Sequence, residues 1–207
     1  MITAARRYLI VLSVGIAGML AVSTWVGGTI AGGTLVTLEF GGKRLAIPRD
    51  YFAFFGSPDP WAPNELFLTA FLPTLAARPT SEQPRGGIDD QMIIEIDARP
   101  VTLNIAYATQ AQDRDEGPLQ ERFGLKAFSE SPGHGFVNEK TDVFFAHDAL
   151  EITTLIVCST GAPYPGCTHK FRWHGFSFEV HYRMTHLKEW ATIETRMESF
   201  FQGFVIQ

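Results

Sequence analysis

The chain has 207 residues, 45% of them apolar and 19% charged, with a mean hydropathy of +0.03. That length allows one domain with a sizeable core and excludes several, and the apolar share excludes a disordered polar chain. Seventeen basic side chains against 22 acidic ones give a formal charge of −5, which argues against a nucleic-acid binder relying on overall positive charge.

No charged residue occurs between Arg7 and Glu39. Residues 8–27, Tyr8 to Gly27, are long and apolar enough to cross a bilayer, where about 20 helical residues match the hydrocarbon thickness. Arg6 and Arg7 ahead of this segment predict a cytoplasmic N-terminus, residues 1–7, and an exported remainder. Trp25 fits an interfacial anchor, and Gly27, Gly28, Gly32 and Gly33 read as a flexible exit, so that 28–34 forms a glycine-rich linker. The competing reading is a cleaved signal peptide, with Ala21-Val22-Ser23 as the small-residue site. Both export the domain at 35–207, and a bacterial inner-membrane protein with a periplasmic domain is expected. Without residues 1–33 that part carries 15 basic and 22 acidic side chains, making it more acidic than the whole chain.

The exported part reads as α+β: a mainly antiparallel sheet with an amphipathic C-terminal helix packed on it. A first hairpin spans Leu35 to Phe40 and Arg44 to Ile47 about Gly41-Gly42. Its register pairs Leu38 with Leu45 and Val36 with Ile47 on one face, and Glu39 with Arg44 on the other. A proline-punctuated loop with Tyr51, Phe52, Phe54, Phe55 and Trp61 follows. Glu65 to Leu72 reads as a strand buried on both faces. Gln91 to Asp97 and Val101 to Tyr107 alternate as strands, the segment 77–90 reads as a loop, and a short helix is expected near Pro118. Asp142 to His147 and Glu151 to Cys158 supply two more strands. The hairpin from Cys167 to Arg183 turns at His174-Gly175, pairing Trp173 with Phe176, Phe171 with Phe178, His169 with Val180 and Lys170 with Glu179. A helix from about His186 to Gln202, capped by Thr185 and stopped by Gly203, carries Leu187, Trp190, Ile193, Met197, Phe200, Phe201 and Phe204 on one face.

Cys158 and Cys167 bracket a turn-rich stretch, and in an exported chain such a pair predicts a disulfide. No metal site is expected: the hairpin register separates His169, His174 and His181, and two thiols leave zinc half-coordinated. No nucleophile elbow, Ser-x-x-Lys motif or phosphate-binding glycine pattern occurs, so neither catalytic residues nor cofactors are expected. The aromatic loop of Tyr51, Phe52, Phe54, Phe55 and Trp61 is the candidate partner-binding surface, since rings on stiffened loops favour binding hot spots. These features point to a non-enzymatic, membrane-anchored module. Its expected partner is another envelope protein, in an accessory-subunit or an immunity role, besides the lipid bilayer contacted through Tyr8 to Gly27. The alternative is an envelope hydrolase or small-ligand binder whose site is built from loops around His134, His147 and the acidic segments.

Overall fold

The computed structural model describes residues 34–52, 63–77, 90–99, 103, 119–130, 140–148 and 151–206, all within the unit Gly33–Gln207. The expected membrane span at 8–27 and the linker, apart from Thr34, lie outside the described residues. Among the described residues, no helix is long and apolar enough to cross a membrane.

Eleven strands and one α-helix are described: β1 (Leu35–Phe40), β2 (Lys43–Pro48), β3 (Glu65–Phe71), β4 (Gln91–Asp97), β5 (Gln120–Arg122), β6 (Leu125–Glu130), β7 (Thr141–His147), β8 (Ile152–Ser159), β9 (Gly166–Trp173), β10 (Phe176–Arg183), α1 (Trp190–Gln202) and β11 (Val205–Ile206). An eight-stranded sheet runs in the order β3-β4-β10-β9-β8-β7-β6-β5, antiparallel at every pairing. A second sheet, β1-β2-β11, brings the C-terminal strand against β2. The α+β expectation of a mainly antiparallel sheet carrying one C-terminal helix holds.

Both hairpins expected from alternation form in the expected register, Leu38 opposite Leu45 and Glu39 opposite Arg44 in one, Phe171 opposite Phe178 and Lys170 opposite Glu179 in the other. Their two-residue turns, Gly41-Gly42 and His174-Gly175, have positive φ at both positions, the geometry that matches the twist of the flanking strands. Gly41 is required twice over, because a Cβ there would also sit 2.6 Å from the Phe176 ring.

Three expectations are corrected. No helix follows Pro118 at 120–130, where β5 and β6 form a third hairpin about Phe123-Gly124, again with positive φ at both turn residues. Leu125 and Ala127 face the core there with the alternation of a strand. The C-terminal helix begins at Trp190, after a 3-10 helix at Met184–Glu189, so Thr185 does not cap it. Met184, Leu187 and Trp190 all pack on the core at steps of three residues, the period of a 3-10 turn. Finally, β3, the last described strand on its side of the sheet, is not buried throughout on its outward side, where Thr69 is fully buried but Glu65, Phe67 and Phe71 are half-buried; Leu66, Leu68 and Ala70 are fully buried on the helix side.

The main core lies between the large sheet, α1 and the small sheet. Phe201 of α1 is fully buried among Phe40, Trp173, Phe176 and Phe178, with ring centroids 4.9 to 6.4 Å apart. A smaller cluster lies on the opposite face at one end of the large sheet, where Phe128, Val143, Phe145, Ile152 and Leu155 pack with Leu103. The rest of that outer face, on β4, β10 and β9, is mostly polar, with Ile93 of β4 an apolar member.

Candidate protein-binding surface

The 3-10 helix Arg49–Phe52 carries the first two residues of the aromatic segment inward. Phe52 is buried, and half-buried Tyr51 packs edge-on against Phe200 and Phe204, its hydroxyl donating to the Leu75 carbonyl at 3.1 Å. Burial pushes the Tyr51 hydroxyl pKa up. Phe54, Phe55 and Trp61 lie outside the described residues. Cys158 and Cys167 are cross-strand partners on β8 and β9 and are joined in the expected disulfide.

The described histidines do not converge. His147 is exposed, receiving a hydrogen bond from Lys126 Nζ at 2.7 Å while its Nδ1 meets the Asp148 carbonyl at 2.8 Å. His134, the other centre of the loop-built alternative, lies outside the described residues. Among the described residues no group of three or more His, Cys, Asp or Glu side chains is placed to hold a metal.

One polar cluster is closed inside the core. His169 of β9 is fully buried against α1, with Nε2 at 2.9 Å from Glu194 Oε1 and Nδ1 at 3.1 Å from the Tyr182 hydroxyl. Thr154 of β8 donates to the same Glu194 oxygen at 2.8 Å. A neutral ring satisfies both of its bonds: Nε2–H donates to the carboxylate and Nδ1 accepts from Tyr182. Burial outweighs the carboxylate and lowers the His169 pKa, and burial also raises that of Tyr182. Both ring nitrogens are engaged and the ring has no exposure, so the cluster is arranged to fasten α1 across β8, β9 and β10 rather than to act on a solute.

The outer face is different. Its middle row, read through the strand registers, runs Phe67, Glu95, Glu179, Lys170 across β3, β4, β10 and β9. Two carboxylates thus stand directly opposite each other, a destabilising arrangement in a sheet. Lys170 Nζ lies 2.7 Å from Glu179 and leaves Glu95 with no ion pair among the described residues. Burial, followed by the charges of Glu179 and Glu65, raises the Glu95 pKa. The flanking rows add a bidentate Arg99–Asp97 pair, with Arg99 also 3.2 Å from Glu65, and an Arg172–Glu151 pair. The Arg99 hydrogen bonds hold the Asp97 carboxyl below its ordinary pKa. His181, half-buried beside Thr168 and Glu179, is lowered by burial.

This face was not legible as a unit in the sequence, because Glu95 and Glu179 meet only through the β4–β10 pairing. At its end Arg183, next on the same side of β10 after His181, lies with its guanidinium carbon 5.0 Å from the centre of the Tyr164 ring and donates to the Tyr164 carbonyl at 3.0 Å.

No protein-family model matches the chain, and no curated protein matches it in sequence. Solved structures do share its fold. An immunity protein of the Stenotrophomonas maltophilia type IV secretion system aligns over 89% of this chain and 100% of its own, with a TM-score of 0.61 and 17% identity. The Neisseria meningitidis iron-regulated outer membrane lipoprotein FrpD aligns over 83% of this chain and 92% of its own, with a TM-score of 0.51 and 13% identity. Identities this low make the likeness one of fold.

Proposed function

We propose that the chain is a non-enzymatic protein-binding module of the bacterial envelope with an immunity role, neutralising a toxin delivered to the periplasm. The observation that carries this reading is the fold shared along the full length of a secretion-system immunity protein. The outer face supports it: Glu95, held opposite Glu179 with no ion pair among the described residues, suits a basic side chain supplied by a partner. Both nitrogens of His169, the one deeply buried histidine among the described residues, are spent inside the fold, which also favours binding over catalysis.

In this reading Tyr8 to Gly27 anchors the chain in the inner membrane, Arg6 and Arg7 stay cytoplasmic, and the acidic domain is held where an incoming toxin arrives. With Tyr51 and Phe52 committed to packing, Phe54, Phe55 and Trp61 are the members of the aromatic segment proposed to touch the partner.

The test is a co-culture of the native strain with a derivative lacking this gene. The deletion strain should lose viability on contact with its parent and regain it when the full-length chain is restored from a plasmid. Equal survival of deletion and parent strains overturns the reading.

A further inference from the structure

We infer that Tyr164, seated on Arg183 at the end of the outer face, is the anchor residue through which that face grips its partner, a protein with a basic surface. The inference rests on the immunity reading and adds the contact that reading leaves open.

Tyr164 is the most exposed large apolar side chain among the described residues, at 72%. An exposed ring on a loose loop would be an ordinary surface feature, but this loop is held at every side. The Cys158–Cys167 disulfide closes it over a separation of nine residues, and Pro163 and Pro165 flank the tyrosine. Thr160 bonds the Lys140 carbonyl through both its backbone N–H and its hydroxyl, at 2.8 and 2.9 Å. Met184 N–H donates to the Pro165 carbonyl at 3.0 Å, and Arg183 adds the hydrogen bond and cation–π contact to Tyr164 itself.

Such a ring presents a large contact area whose ordering cost is met before the partner arrives, and Tyr and Arg are the residue types most enriched at binding hot spots. The chemistry of the partner follows from the neighbouring strand. Four residues along β10 from Arg183 stands Glu179, about 13 Å away at the rise of a strand. There it faces Glu95. A fitting partner therefore carries an apolar pocket for the tyrosine ring and, about one strand-length away, a lysine or arginine to enter between the two carboxylates.

The deletion strain described above is complemented with the full-length wild-type chain and with Tyr164→Ala, Tyr164→Phe and Phe123→Ala, then co-cultured with the parent. Phe123 is the control, an exposed ring on a turn far along the sheet order. Unfolding midpoints verify that each variant folds. Tyr164→Ala should lower survival at least about tenfold, as truncation of a hot-spot anchor does. Tyr164→Phe and Phe123→Ala should protect like wild type. A folded Tyr164→Ala chain that protects fully overturns the anchor while leaving the immunity reading intact. A wild-type chain that gives no protection overturns the immunity reading, and the anchor with it.

Discussion

The two faces of the large sheet are built on the same strands and obey opposite rules. On the inner face every buried polar side chain among the described residues is answered: Glu194 and Tyr182 satisfy both nitrogens of His169, and buried Asp142 takes bonds from Arg122 and Ser129 at 2.9 and 2.7 Å. On the outer face Glu95 is set against Glu179, and Lys170 makes its ion pair with Glu179. A folded chain gains nothing from leaving a carboxylate opposed in this way. The contrast teaches that the inner face carries stability, whereas the outer face holds a carboxylate, Glu95, that has no ion pair among the described residues.

That contrast is open to breakage from the inner side first. Phe201→Ala removes the ring at the centre of the core and should cost ~3–5 kcal/mol of unfolding free energy by urea titration, enough to threaten folding. A loss under about 1 kcal/mol would mean that the helix face is not the seat of stability. Replacing both cysteines with alanine should cost about 3 kcal/mol, the entropy of closing so short a loop, with the Tyr164 segment loosened as a consequence.

Smaller effects sharpen the comparison. Glu194→Ala strands His169 and Thr154 inside the core and should cost ~1–3 kcal/mol. The same cluster sets a pH dependence. The folded pKa of His169 lies below its unfolded value, so the unfolded chain binds the extra proton; the stabilisation is complete above pH 6.5 and is lost progressively as pH falls below it. Urea midpoints from pH 7.5 to 5 should decline for the wild type, and His169→Phe should flatten the decline. Half-buried His181 acts in the same direction and leaves a residual slope. On the outer face the expected sign reverses: Glu95→Gln removes the opposed charge and should raise stability by ~0.5 kcal/mol at pH 7. A destabilised Glu95→Gln chain would show that Glu95 belongs to the scaffold.

Much of the scaffold was readable before the structure. The registers of β1–β2 and β9–β10 followed from alternation joined to glycine turns, and the disulfide from two cysteines around a turn-rich stretch. The third hairpin was missed although Gly124 marks its turn, because Pro118 also starts helices and the following β5 has only three residues. The start of α1 was misplaced because steps of three and four residues look alike over one turn, and only packing distinguishes a 3-10 helix from an α-helix. The outer face was hidden for a different reason. Its central carboxylates come from strands remote in sequence, and no local pattern announces which of them will stand opposed. Tyr164 was inside a segment read only as a turn, since exposure is a property of the folded loop and not of its composition.

The most direct test of the account is a charge reversal confined to the outer face. Glu95→Lys combined with Glu179→Lys, in the full-length chain, is introduced into the deletion strain and survival is counted after co-culture with the parent. The account predicts a chain that still folds, with an unfolding midpoint below that of the wild type because lysines at 95, 179 and 170 then stand side by side across three strands, and that no longer protects. Full protection by that folded chain would contradict it.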